Sequence, residues 1–98
     1  MEVKVNDILY GCWGYSMTLY NFMKVVRLTP KQVILRELKK RTLTHDPANM
    51  LVEPTDEIDF SEDEIRLKNK PGGIWHPRFR CLLGHYDPNM QCYENHMD

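Results

Sequence analysis

The chain has 98 residues, a length that matches a single domain of modest size. Its apolar fraction of 42 % excludes wholesale disorder, and its formal net charge of −1 gives no sign of a surface adapted as a whole to nucleic acid or to a membrane. The longest apolar runs, such as residues 33–35, are far too short to cross a bilayer. We therefore expect one domain over residues 1–98, with no membrane partner.

The cysteines and the first residues indicate a compartment. The three cysteines, Cys12, Cys81 and Cys92, are odd in number and irregular in spacing, unlike a disulfide framework. The first residues lack the basic-then-apolar order of a secretion signal. We therefore expect a cytoplasmic protein with reduced thiols.

Strand signals dominate the first forty residues. Residues 3–12 are rich in apolar and aromatic side chains, and Leu19–Leu28 has such residues at even spacing. Residues 32–40 follow a turn signal at residues 29–31. This third segment fits a strand, and it also fits a helix that Thr29 would cap, so its periodicity alone leaves both alternatives open.

The remainder of the chain predicts a long loop followed by short strands. Residues 41–60 contain two pairs in which proline follows an acid, and their acidic end predicts a solvated loop. Ile65–Lys70 alternates apolar and basic residues, as a half-buried strand does. Residues 78–86 and 91–95 predict further strands. We expect a mainly β fold, a small SH3-like or related barrel of five to six strands with one long acidic loop.

Charge is unevenly distributed along the chain. Seven bases and one acid, Glu37, fall within residues 24–41, whereas residues 53–64 contain seven acids and no base. The simpler expectation is two solvated faces whose charges cancel. The alternative is that the two stretches pair across the fold.

The sequence around Trp13 indicates an aromatic anchor. Gly11 and Gly14 flank Trp13, and Tyr15 follows. Glycine permits a sharp turn that would project Trp13 and Tyr15 outward, where they could hold a partner side chain or stack on a base. The alternative is that Trp13 folds back onto the barrel end, since tryptophan is highly buried on average.

Two further sets of residues have patterns typical of ligand sites. Cys81, His85, Cys92 and His96 form two Cys-x3-His pairs, an atypical spacing for a zinc site, and the alternative is buried thiols with surface imidazoles. The basic run of Lys39, Lys40 and Arg41 could contact phosphates, although such runs commonly form a solvated strand end.

No motif of nucleophilic or phosphoryl-transfer catalysis is present, so we expect neither an enzyme nor a cofactor.

The N-terminal third resembles a family of small uncharacterised phage and prophage proteins. The resemblance lies in residues 6–10, in Trp-Gly-Tyr at residues 13–15, and in Thr18, Phe22 and residues 25–26. In that family a Gly-Asp-Ile strand comes first, then a Trp-Gly-Tyr turn and a strand carrying Phe and Val.

The closing stretch, residues 86–93, is similar to the terminal element of the same family. This chain departs from the pattern at Asn6, where Gly is usual, and at Tyr86, where Trp is usual; residues 42–60 are unmatched. The resemblance implies a β-rich small barrel, favours a strand for residues 32–40, and implies no particular activity.

The leading hypothesis is a non-enzymatic binding module, an accessory or anti-defence factor of a phage or mobile element that acts in a bacterial host cytoplasm. It would engage a host or phage protein through Trp13 and Tyr15, with charge complementarity from three acids, Asp56, Glu57 and Asp59. One alternative is a single-stranded nucleic-acid binder that uses Lys39, Lys40 and Arg41. The other is a small zinc-stabilised domain.

Overall fold

The computed structural model describes residues 1–14, 17–44, 46 and 49–96, and in this part of the chain the backbone forms nine strands and no helix. The strands are β1 (Ile8–Trp13), β2 (Leu19–Leu28), β3 (Gln32–Thr42), β4 (Met50–Ile58), β5 (Ile65–Lys70), β6 (Gly73–His76), β7 (Cys81–Leu82), β8 (Gly84–His85) and β9 (Cys92–Glu94). Every pairing between them is antiparallel. The sheet curves into a nearly closed barrel, which confirms the prediction of a mainly β fold built as a small barrel.

The long strand β3 organises the sheet. Its first part, from Gln32 to Leu35, pairs with β5, and its second part, from Leu38 to Thr42, pairs with β4. The register shifts between Leu38 and Lys40, so the strand is irregular where it changes partners. On its other side β3 pairs with β2, which pairs in turn with β1, and β8 pairs with β1.

Two apolar clusters fill the molecule on opposite faces of β2. Met23 and Val25 belong to the first cluster and Phe22 to the second, because neighbouring side chains of a strand point to opposite faces. The first cluster consists of Leu9, Met23, Val25, Val33, Leu35, Leu67, Ile74, Phe79 and Leu83. The second consists of Phe22, Leu38, Val52 and Cys92. β4 and β9 cover the second cluster, so it depends on segments distant in sequence.

Several predicted elements match the structure. Leu19–Leu28 and Ile65–Lys70 are strands with the predicted bounds, and residues 32–40 lie in a strand, β3, and not in a helix. The branched residues Val33 and Ile34 lie in its buried part, where their shape suits a packed sheet.

The predicted loop over residues 41–60 is wrong, because β4 lies within it. Pro54 does not prevent this strand. Within the described ranges β9 pairs with residues 50–52 of β4, so from Glu53 onward no described strand pairs with β4 on that side, and proline is tolerated at such an edge. The predicted strand over residues 78–86 is divided into β7 and β8, and β6 has no counterpart among the predicted strands. The strand count is therefore above the five to six expected.

None of the described segments forms a helix long and apolar enough to cross a membrane.

Candidate functional site

Trp13, the first predicted anchor, lies at the end of β1 and is half-buried against the first cluster. Its ring stacks on Phe79 with the ring centroids 5.2 Å apart, and its Nε1 donates a hydrogen bond to Asn21 Oδ1 at 2.6 Å. Gly11 is buried, and a Cβ at this position would lie 3.2 Å from Cys81 Sγ, so this glycine permits close packing. The structure thus matches the alternative in which Trp13 folds back onto the barrel.

The Trp13 indole begins a chain of polar contacts that reaches Glu37. Asn21 Nδ2 donates to Glu37 Oε1 at 2.5 Å. Burial raises the pKa of Glu37 above its ordinary value, and the neighbouring carboxylates of Glu62 and Asp59 act in the same direction, against the hydrogen bond from Asn21. This chain holds Trp13 in place and connects it to the side of the barrel that carries Asp59.

The other predicted partner-binding residues have different surroundings. Tyr15 lies outside the described residues. Asp56 and Glu57 are exposed on β4, and Glu57 forms an ion pair across to β3. Asp59 Oδ1 accepts hydrogen bonds from the Ser61 side chain and backbone, which lower the pKa of Asp59. The contacts given for Glu57 and Asp59 are with Lys39 and Ser61 and not with Trp13.

The bases proposed for nucleic-acid contact each have an acidic partner. Lys39 pairs with Glu57 and Arg41 with Glu53, both across the β3–β4 ladder. Lys40 Nζ lies 2.6 Å from Glu94 Oε2. Part of the basic stretch therefore pairs with the acidic stretch across the fold, which matches the alternative interpretation of the charge pattern.

Glu94, at the end of β9, is a buried carboxylate whose hydrogen-bond partners lie on β2, on β3 and just after β9. It is 2 % exposed, accepts from the backbone N–H of Tyr20 at 2.8 Å, and lies 2.9 Å from His96 Nε2. Burial alone would raise the pKa of Glu94, but the hydrogen bonds from Lys40, Tyr20 and His96 outweigh it and hold the pKa below its ordinary value. The network ties β9 to β2 and β3.

The residues proposed for zinc are not brought together. Cys92 is buried in the second cluster, whereas Cys81 packs against the first. His85 Nε2 contacts the backbone oxygen of Glu2 at 2.8 Å, and His96 contacts Glu94. Among the described residues no group of three or more His, Cys, Asp or Glu side chains could hold a metal ion. The described structure therefore does not assemble the four residues into a zinc site.

The strands β5 and β6 present a surface that the sequence patterns do not indicate. Arg66, Lys68 and Lys70 alternate along β5 and are all exposed, while Leu67 between them is buried. On β6, Trp75 is 53 % exposed. The β5–β6 register, Asn69 with Ile74 and Lys70 with Gly73, places Trp75 opposite Lys68 when continued by one position. We call the surface formed by Arg66, Lys68, Lys70 and Trp75 the basic face.

Two clefts adjoin along the basic face. One has a volume of about 240 Å³ and is lined by Arg66, Leu67, Lys68, Lys70, Gly73, Trp75 and Pro77. The other, which we call the turn cleft, has a volume of about 660 Å³. It lies between the β2–β3 and β5–β6 turns and is lined by Thr29, Pro30, Lys31, Gln32, Lys68, Asn69, Lys70 and Pro71. Lys68 and Lys70 line both clefts.

The charge on this surface is unbalanced. Arg66, Lys68, Lys70 and Lys31 take part in none of the ion pairs that the described residues form. The described residues that line the two clefts include no Asp or Glu. By contrast, the cleft beside β4 is lined by Glu53, Asp56 and Glu57 in addition to Arg41. Four bases outside these ion pairs therefore lie around two adjoining clefts, in a chain whose net charge is −1.

The alternation of apolar and basic residues over 65–68 predicts the strand, and it also carries a signal for this surface. It does not identify a site, because the sequence alone does not distinguish bases that form ion pairs from bases that do not. Trp75 is equally ambiguous, since its position opposite Lys68 depends on β6, which the sequence patterns do not predict.

No protein-family model matches this chain, and no curated protein or solved structure is significantly similar to it. The resemblance to the phage and prophage family stays a prediction.

Proposed function

We propose that this protein is a non-enzymatic binding module whose basic face holds single-stranded nucleic acid. The observation that carries the proposal is the row of Arg66, Lys68 and Lys70, which have no ion-pair partner among the described residues and lie beside an exposed Trp75. This function is the alternative that the sequence left open, but the residues that support it are different.

The chemistry of a single strand matches this surface in two ways. Cations that contact phosphates release condensed counterions, which favours binding at low salt. An exposed indole offers a flat face on which an unpaired base can stack, whereas the bases of a duplex are already stacked on each other. The alternation along β5 spaces the three cations by about 7 Å, so that they can follow a backbone.

A protein partner is the second candidate. The observation that favours it is the exposed Asp56, which lies at the acidic cleft beside β4 with Glu53 and Glu57. Its support is weaker, because Glu53 and Glu57 already pair with Arg41 and Lys39. A basic host or phage protein would have to compete with these pairs.

We also propose that the protein is an accessory or anti-defence factor of a phage or mobile element that works in a bacterial cytoplasm. The free thiols of Cys12, Cys81 and Cys92 support a reducing compartment. Asn6 supports the resemblance: its φ of 79° is left-handed, a backbone that glycine and asparagine adopt readily, and glycine is usual here in the family.

The test is the binding of a fluorescently labelled oligothymidine, followed by anisotropy from low to moderate salt. We expect binding that weakens as salt rises. The double variant Lys68→Ala/Lys70→Ala should make the negative slope of log K against log salt shallower, by about 0.7 for each phosphate that is no longer neutralised. Trp75→Ala should weaken binding by about 1–3 kcal/mol.

The matched control is Lys39→Ala/Arg41→Ala, which removes the same charge from residues that already have acidic partners. It should leave the slope within experimental error of the wild type. If no oligonucleotide binds at low salt, or if the control weakens binding as much as the β5 variant does, the basic face is not the binding surface.

A further inference from the structure

The turn cleft has a composition that distinguishes it from the rest of the basic face. Three lysines line it, Lys31 from the β2–β3 turn and Lys68 and Lys70 from β5. Pro30 and Pro71 supply apolar walls, one from each turn. Its volume of about 660 Å³ lies within the range of small-ligand sites, so it is large enough for part of a nucleotide and not only for a single ion.

A backbone hydrogen bond holds the β2–β3 turn against β5 at the cleft. The N–H of Asn69, near the end of β5, donates to the carbonyl oxygen of Lys31 in the β2–β3 turn at 3.0 Å. The N–H of Gln32 donates to Thr29 Oγ1 at 3.0 Å, which closes the β2–β3 turn. The stems of the three lysines therefore start from fixed positions around one space.

Three lysines line the turn cleft and the described lining offers no carboxylate, so an anion there would be attracted by nearby ammonium groups and would meet no like charge in the lining. An internal phosphodiester carries one negative charge. A terminal phosphomonoester carries about 1.5 to 2 negative charges at pH 7 and three acceptor oxygens. Lysine binds phosphate as a point charge on a flexible stem, so three lysines suit a group with several exposed oxygens.

The position of the turn cleft also favours the end of a nucleic-acid strand over its interior. Lys68 and Lys70 line both the turn cleft and the cleft beside Trp75, so the two clefts adjoin at this pair of lysines. A nucleic-acid strand whose base stacks on Trp75 and whose backbone crosses β5 would reach the turn cleft next. The turn cleft lies at an end of the sheet, where the β2–β3 and β5–β6 turns reverse the protein chain. A nucleic-acid strand that follows the sheet would therefore end in this cleft.

We infer that the turn cleft takes the terminal phosphate of a nucleic-acid strand. This inference rests on the proposed function and adds a substrate class to it: single strands that end in a phosphomonoester. The phosphate would sit among Lys31, Lys68 and Lys70, and the adjoining sugar would contact Pro30 and Pro71.

The experiment compares four oligothymidines under one set of salt conditions. Three are ten-nucleotide strands, one with hydroxyl ends, one with a 5′-phosphate and one with a 3′-phosphate, each labelled away from the end under test. The fourth has twelve nucleotides and hydroxyl ends, so that it carries two extra charges without a terminal phosphate. We expect one of the phosphorylated strands to bind at least about fivefold more tightly than both hydroxyl-ended strands. The two phosphorylated arms identify which end is held.

The variant Lys31→Ala tests the location, since Lys31 lines the turn cleft and not the cleft beside Trp75. It should remove most of the gain from the phosphate and leave the hydroxyl-ended ten-nucleotide strand within about twofold of its wild-type affinity. Lys39→Ala, at an ion-paired lysine on β3, should keep the full gain.

Equal affinity for the phosphorylated ten-nucleotide strands and the twelve-nucleotide strand would overturn the inference, as would a gain that persists in Lys31→Ala. In either case the proposed function would still stand, because hydroxyl-ended strands would bind. If none of the four strands binds, the proposed function itself fails.

Discussion

The two tryptophans have contrasting surroundings that predict opposite effects of the same substitution. Trp13 is half-buried, stacked on Phe79 and hydrogen-bonded to Asn21. Trp13→Ala should lower the free energy of unfolding by about 2–4 kcal/mol, because it removes packed surface and leaves the Asn21 oxygen without its donor. Urea unfolding of the variant beside the wild type measures this loss.

Trp75→Ala is the matched control, since the same ring is removed from a side chain that is 53 % exposed. Its free energy of unfolding should stay within about 0.5 kcal/mol of the wild type, whereas its oligonucleotide binding should fall. A Trp13 variant with the wild-type midpoint would show that Trp13 is not part of the packed structure.

Glu94 predicts a pH-dependent contribution to stability. Its pKa is held below its ordinary value by Lys40, Tyr20 and His96, so it stabilises the fold when ionised. This contribution is complete above the ordinary pKa of 4.5 and is lost as pH falls below it, through the lower pKa of the folded state. Glu94→Gln should therefore cost about 1–3 kcal/mol at pH 7 and progressively less below pH 4.5.

Denaturant unfolding of wild type and variant from pH 7 to pH 3 measures the gap between them. The comparison within one pH is necessary because Glu37, with a raised pKa, changes wild-type stability in the opposite direction. Glu57→Gln is the control, since the side chain of Glu57 is 73 % exposed and its pairing with Lys39 should contribute little. A gap for Glu94→Gln that stays constant with pH would contradict the assigned network.

At the scale of the strands, β4 is the element that sequence patterns misjudge most. Its sequence has acids and Pro54, both of which disfavour strands in isolation. Its pairing with β3 on one side and β9 on the other outweighs those preferences. Long-range pairing of this kind is invisible to local propensity, which explains why the segment reads as a loop in the sequence.

The role of β4 in the core predicts that Val52→Ala is destabilising. Val52 is 2 % exposed and belongs to the second cluster together with Phe22 and Cys92. Removing two methyl groups should cost about 1–3 kcal/mol, measured by denaturant unfolding. Asp56→Ala, four residues along the same strand but exposed, should change stability by less than about 0.5 kcal/mol. Equal effects would show that β4 is not packed.

At the scale of the whole molecule, the two apolar clusters should unfold together. Phe22 and Met23 are neighbours on β2 but belong to different clusters, and β3 likewise contributes to both. Neither cluster can lose its packing without disturbing strands that the other uses. We expect one cooperative transition, with coincident curves from far-UV circular dichroism and tryptophan fluorescence. Two separated transitions would show that the clusters are independent.

The whole molecule also decides what the net charge means. A value of −1 argues against nucleic acid when charges are counted along the chain. In the folded protein several bases are neutralised by local ion pairs, such as Arg41 with Glu53, while those of β5 form no ion pair with the described residues. A protein with a net charge of −1 can therefore still have a positively charged face.

The class of fold and the positions of the most regular strands can be predicted from the amino-acid pattern alone. Even spacing in β2 and alternation in β5 reflect the two-residue period of a strand, which is a local property of the chain. Three features follow from the folded arrangement and not from the pattern: residues 50–58 form a strand, Trp13 packs inward, and the cations of β5 take part in none of the ion pairs of the described residues. Each of these depends on contacts between residues far apart in sequence, and the free energy of those contacts is set by the fold and not by local preference.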